Sequence, residues 1–201
     1  MSLTNHIWIG ADPGGKGNFG LAILNSDGSP HTWCVNCVDE AIDRIRGRLS
    51  GCPKGVGVDA PLWWSSGPSG SRLADEWLRK TFGLSGGEVQ AANSLRGAAL
   101  VQGAMFIQRL RELYPEVPVT ETHPKAVVKV LKLTAESFWQ RHSVTSTAQN
   151  EHERDAVVSA IAAREGFSGR WTNDLATKRH PSEQNPKTYW LAPIHYFWPE
   201  A

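Results

Sequence analysis

The sequence predicts one α/β domain on a mixed sheet, in which a three-stranded antiparallel meander leads into parallel strands separated by helices. Three observations carry this. The apolar runs HIWIGAD at 6–12 and FGLAILN at 19–25 flank a glycine-rich turn, the pattern of a hairpin with a wide loop. VDEAIDRIRGRL at 38–49 sets Val38, Ala41, Ile42, Ile45 and Leu49 on one helical stripe just before the short apolar segment VGVDAP, and a helix between two strands is the ordinary parallel crossover. Finally, EHERDAVVSAIAARE at 151–165 is a strongly helical segment rich in Ala and Val on its buried flank.

Taken in order, SDGSP at 26–30 is a second turn and makes HTWCVNCV the third strand of the meander. The helix over Val38 to Leu49 has acids early and arginines late, as the helix dipole prefers. VGVDAP is a fourth strand ending on Asp59, because Pro61 cannot donate to a ladder. LWWSSGPSGS is a loop long enough to have a function. Helices are expected near 72–82 and 94–113, then a fifth strand through Val117, Val119 and Glu121. His123 and Pro124 open a further helix, Pro suiting a first turn. The order is β-β-β-α-β-α-α-β-α-α, a ribonuclease H-like arrangement with a five-stranded mixed sheet flanked by helices.

The 201 residues suit a single domain, 1–201, with 170–201 as a C-terminal extension packing on the domain or on a partner. TYWLAPIHYFW in that extension is either an edge strand or an arm over a second copy of the chain. No apolar run approaches the 18 or so residues of a membrane span, and MSLTNHIW has no secretory pattern. A cytoplasmic protein without membrane contact is expected. A formal charge of +1 supplies no bulk field for a polyanion, so a nucleic-acid partner would need a local basic patch. The cysteines number three, which argues against a disulfide framework. Cys34 and Cys37 lie three apart on a strand and so face opposite ways, which does not suit zinc. Nine tryptophans are many for this length; Trp63, Trp64, Trp190 and Trp198 lie near Pro or Gly and either line a cleft or oligomer contact or cap a core edge.

Four acids carry the chemistry: Asp12 ends the first strand, Asp59 the fourth, Glu121 the fifth, and Asp155 lies on the last helix beside Val158, Ser159 and Ala162. Carboxylates so gathered repel, and a hard divalent cation, Mg²⁺ or Mn²⁺, is the usual relief. Two such ions about 4 Å apart activate a water and stabilise the leaving oxygen in phosphodiester cleavage. Each acid also has a plainer reading, as a turn starter, a strand cap or a surface charge; it is the set of four that points to catalysis. For substrate binding, the turn around Gly14, Gly15 and Gly17 has two readings, amides that contact a phosphate with Lys16 supplying charge or a plain flexible hairpin loop, and no P-loop motif is present. Arg72, followed by Asp75 on the same helical face, is preferred to Arg96 as a phosphate ligand. His152, one turn before Asp155, is placed to assist the attacking water or orient a phosphate.

GADPGGKGNFGLAIL, VGVDAPLWW, ETHPKAV and ERDAVVSAIAA together resemble the DUF429 family of predicted ribonuclease H-like nucleases, over roughly residues 6–165. Members carry an acid in the first strand, a D-x-P near the fourth, an E-x-H-P and a late D-A on a helix. The resemblance implies Asp12, Asp59, Glu121 and Asp155 as metal-binding acids and His123 as part of the E-x-H-P signature. It also implies an arginine and an aspartate after the second acid, which Arg72 and Asp75 match. The expected activity is metal-dependent nuclease or phosphodiesterase chemistry; the alternatives are a non-catalytic interaction module of the same fold and a nucleotide-binding phosphotransferase.

Overall fold

The computed structural model describes residues 6–65, 69–183 and 191–200. Trp190 and residues 66–68 of the tryptophan-containing loop lie outside them. The meander is β1 (Ile7–Asp12), β2 (Phe19–Asn25) and β3 (Pro30–Val35), and α1 (Val38–Arg46) leads from it to β4 (Gly55–Val58). Then come α2 (Leu73–Phe82), one 3₁₀ turn at Ala92–Ser94, α3 (Gly97–Leu113) and β5 (Val119–Glu121). After them follow α4 (Pro124–Val130), α5 (Ala135–Arg141), α6 (Glu151–Phe167) and two short strands, β6 (Asn173–Asp174) and β7 (Phe197–Trp198).

The main sheet has five strands in the order β3-β2-β1-β4-β5. β1–β2 and β2–β3 are antiparallel, whereas β1–β4 and β4–β5 are parallel. The expected mixed α/β sheet is therefore present, flanked by helices.

Three boundaries moved for local reasons. α1 stops at Arg46 with Gly47 as its cap, three residues short of the expected end, although Leu49 stays buried against the same core. α3 starts at Gly97 because Arg96 is extended. α5 was not expected. It is only seven residues long, and its capping box uses Ser137 where a sequence reader looks for Glu or Gln: Ser137 N–H donates to Thr134 Oγ1 and Thr134 N–H donates to Ser137 Oγ.

α6 lies unusually close to the sheet, and glycines make that contact. A Cβ built on Gly10 would sit 1.9 Å from Ala156 O, one on Gly20 2.0 Å from His152 O, and one on Gly57 2.1 Å from Ser159 O. Any side chain at these points would meet helix backbone, which cannot rotate away. Positions 152, 156 and 159 recur at helical spacing and so form the face that rests on β2, β1 and β4. α6 is buried all round from Asp155 to Ala163 rather than along one stripe. On the opposite face of the sheet, α3 brings Phe106 edge-on to Phe19 of β2 and sets Gly103 against Ala60.

The C-terminal extension packs on its own domain. Its backbone runs along the outer edge of β5, where Glu121 N–H donates to His195 O (2.8 Å) and His195 N–H donates to Val119 O (2.9 Å). β7 then pairs with β6. Tyr196 and Trp198 are completely buried, so these rings are not available for the oligomer contact that the tail was one candidate to make. Among the described residues, no helix is long and apolar enough to cross a membrane.

Candidate active site

The last paired row of β1 and β4 is Ala11–Val58. Asp12 and Asp59 come immediately after it and leave the sheet side by side. Each is two residues beyond a glycine that faces α6, so strand alternation turns both carboxylates to the α6 side. Asp155 reaches them from that helix. The glycine contacts thus do more than pack the domain, because they set the distance between the helix acid and the strand acids.

Glu121 goes the other way. Its row partner on β4 is Val58, one position before Asp59, and the residue level with Asp59 is Thr122, whose hydroxyl bonds Ser159 of α6 at 2.8 Å. A one-residue offset reverses the face in a strand. Glu121 accordingly meets Arg72: Nη1 donates to Oε2 at 2.6 Å and Nη2 to Oε1 at 2.5 Å, while Leu62 N–H donates to Oε2 at 2.9 Å. Arg72 also holds Asp75 in two bonds, Nε to Oδ2 (2.8 Å) and Nη2 to Oδ1 (2.7 Å), and its guanidinium stacks 4.2 Å from the Trp63 ring. Arg72 is 1% exposed. Its donors are directed at two carboxylates, so the arginine expected to bind phosphate instead anchors α2 and the loop after β4 to β5. Glu183, fully buried, fastens the same loop by accepting from Trp63 Nε1, Ser65 Oγ and Leu73 N–H.

The three acids on the α6 side each lean toward a basic group. Asp12 Oδ2 is 2.7 Å from His152 Nδ1, Asp59 Oδ1 is 3.6 Å from His123 Nδ1, and Asp155 Oδ2 is 3.6 Å from Lys125 Nζ. Lys125 also pairs with Glu151 at 2.5 Å. At 3.6 Å the Lys125 contact is too long for a hydrogen bond, and Asp155 Oδ2, on a residue 8% exposed, has no hydrogen-bond partner. Among the described residues, no group of three or more His, Cys, Asp or Glu side chains stands assembled as metal ligands.

Their ionisation shows the crowding. Burial, then the charges of Asp12 and Asp155, push the Asp59 carboxyl well above its ordinary value. Burial and Asp12 lift Asp155 to about 7, with Lys125 working against them. Burial also raises Asp12, although the hydrogen bond to His152 offsets part of it. His123 is depressed to about 4 by burial and is neutral at pH 7. For Lys125 burial opposes the ammonium, but the bond to Glu151 and the charges of Asp155, Glu151 and Asp59 outweigh it and hold the group protonated above its ordinary value.

Asp12, Asp59, His123 and Lys125 open on a cleft of about 430 Å³ whose wall also includes the paired Glu121 and Arg72 and, from the start of α3, Arg96. Arg96 is exposed there. Lys16 is exposed at the tip of the β1–β2 turn and is not part of the cleft wall. Lys125, Glu183 and the glycine contacts were not read from the sequence. The glycines carried a usable signal, since a lone glycine within a strand marks close backbone approach; a lysine on the first turn of a short helix carries none. Comparison with protein-family models, with curated proteins and with solved structures returns no match for this chain.

Proposed function

We propose that this chain is a ribonuclease H-like hydrolase that cleaves nucleic-acid phosphodiester bonds with the help of Mg²⁺ or Mn²⁺. The strand order β3-β2-β1-β4-β5, antiparallel on one side of β1 and parallel on the other, supports that fold assignment. The observation that carries the functional reading is Asp155 Oδ2, a buried carboxylate oxygen without a hydrogen-bond partner, on an acid that shares its charge environment with Asp12 and Asp59. Its ion pair with Lys125 is long at 3.6 Å, a buried carboxylate so weakly partnered is costly, and oxygen donors of this kind suit a hard divalent cation.

Asp12, Asp59 and Asp155 would hold the ion. When bound, it supplies Lewis-acid stabilisation of the phosphoryl oxygens and makes a water a better nucleophile. The protein's own groups do the rest. His152 fixes the Asp12 rotamer through Nδ1 and keeps its ring one-third exposed, where the other nitrogen can accept the proton that the attacking water loses. Water oxygen bonds to phosphorus, the bond to the leaving oxygen breaks, and that oxygen takes up a proton. Arg96, exposed on the cleft wall, is the arginine we assign to substrate phosphate in place of Arg72. Glu121, on the cleft wall, holds Arg72 and, through Leu62 N–H, the loop after β4.

The test is cleavage of labelled RNA and DNA oligonucleotides by wild type and Asp12→Asn in Mg²⁺ or Mn²⁺. Wild type should cleave only with the divalent ion, and Asp12→Asn should lose at least about a hundredfold in rate, the scale of several kcal/mol of transition-state stabilisation. Equal rates for the two proteins, or cleavage unaffected by EDTA, would refute the mechanism.

A further inference from the structure

An apolar pocket of about 550 Å³ lies beside the acid cleft, lined by Leu62, Trp63 and Trp64 of the loop after β4 and by Leu100, Val101 and Met105 of α3. That is the size of a small-ligand site. Val101 and Met105, 57% and 46% exposed, are the exposed large apolar side chains of the described residues, and an uncovered apolar surface of this kind marks a binding face. The walls are held from behind. Trp63 is buried, stacks on the Arg72 guanidinium and donates to Glu183, which leaves the half-buried Trp64 as the more accessible ring on its side. Arg111 of α3 donates to the carbonyl oxygens of Leu191 and Pro193 and so fastens Leu191, which also lines the pocket.

Pocket and cleft are continuous. Pro61 lines both, and along α3 the cleft wall at Arg96 and Ala99 passes into the pocket wall at Leu100. Arg96 and Leu100 stand about one helical turn apart, about 5.4 Å. An occupant with a negative charge for Arg96 and a flat apolar ring for the pocket fits this pair. We infer that the pocket receives an unpaired nucleobase of the strand whose phosphodiester lies in the cleft, so that the substrate is single-stranded nucleic acid. This rests on the metal-dependent reading above and adds its substrate class. The base stacks on Trp64 with the Met105 thioether beside it, and Gln108, on the same wall, offers an amide donor and acceptor to the base edge. A duplex keeps its bases paired and stacked inside and would have to extrude one to fill the pocket.

Fluorescence anisotropy of a labelled single strand, its blunt duplex and the same strand with abasic sites tests this, with Ca²⁺ as the hard cation in place of Mg²⁺. Wild type should bind the single strand at least about tenfold more tightly than the duplex or the abasic strand, the scale of one stacked base. Trp64→Ala should lose about tenfold on the single strand and nothing on the abasic one, and Trp64→Phe should recover most of that loss. Met105→Gln, a change on a half-exposed side chain that the fold tolerates, should weaken binding of the single strand alone. Equal binding of normal and abasic strands, a preference for the duplex, or unchanged affinity in both Trp64→Ala and Met105→Gln would overturn the inference. So would a wild-type dimer in sedimentation that Met105→Gln dissolves, which gives the pocket to a second copy of the chain. Mn²⁺-dependent cleavage by wild type judges the metal-dependent reading separately: cleavage alongside any of these results leaves that reading standing, and no cleavage of any nucleic acid overturns both.

Discussion

Replacing Asp155 by Asn keeps the side chain's shape and removes its charge, and the structure gives this exchange an unusual sign. A buried acid paired with a lysine is normally expected to stabilise a fold, so that its loss weakens the protein. Here the lysine is 64% exposed and 3.6 Å away, a geometry worth about 0–1 kcal/mol. Against it stand burial and the Asp12 charge, which together lift the carboxyl from 3.8 to about 7. Three pH units correspond to about 4 kcal/mol. The sign follows from linkage: the folded state binds this proton more tightly than the unfolded chain does. The penalty is absent below pH 3.8, grows as pH rises toward 7 and is complete above it. In the metal-free protein, Asp155→Asn should therefore raise the unfolding free energy by about 4 kcal/mol at pH 8, a figure in which the opposing Lys125 contact is already included. Near pH 4 it should change little. Urea unfolding of both proteins in EDTA at the two pH values measures this. Saturating Mn²⁺ should then stabilise wild type and not the variant, by about 2.7 kcal/mol for an ion at a hundred times its Kd. A variant less stable than wild type at pH 8 would show that Asp155 is an ordinary structural partner of Lys125, and the reasoning would fail.

Two further substitutions probe how the site is held. In Gly57→Ala the new Cβ would lie 2.1 Å from the carbonyl oxygen of Ser159; it should destabilise by about 3 kcal/mol, at the upper end for overpacking, and weaken Mn²⁺ binding because α6 carries Asp155 outward with it. Thermal unfolding with and without Mn²⁺ reads both effects, and a variant with the wild-type midpoint would contradict the close helix–sheet contact. Arg72→Met leaves Asp75 and Glu121 buried without their cation and should cost about 3–5 kcal/mol in urea unfolding. Adding Glu121→Gln to that variant should recover part of the loss, and no recovery would show that the two residues are uncoupled.

Much of the framework was legible in the chain because periodicity and punctuation are local. The meander, the amphipathic α1, the break at Pro61 and the Pro124 helix start all follow from residues within a dozen positions of one another. Asp12, Asp59 and Asp155 were singled out on the same grounds, as strand-end and helix-flank acids. Glu121 was grouped with them because it too ends a strand. The strand order puts β5 beside β4 as that grouping required, but the register falls one residue short, and in a strand one residue decides the face. Arg72 illustrates the same limit. Its spacing to Asp75 was plain, but the second carboxylate that buries it comes from 49 positions away.

What the sequence by itself determined is the set of elements and the chemical inventory: hard oxygen donors at strand ends, an acid on a helix, and a tail rich in aromatics. Tertiary structure decided which members of that inventory meet. The tail's Tyr196 and Trp198 fill their own core because β5 has an open edge to cover. Lys125 came to pair with Asp155 and Glu151, and Glu121, in the same cleft, took Arg72 as its partner, through strand register and the approach of α6 to Gly10, Gly20 and Gly57. Both depend on contacts between residues distant in the chain, and a shift of one position or of 2 Å reverses a side chain's partner while leaving every local pattern unchanged.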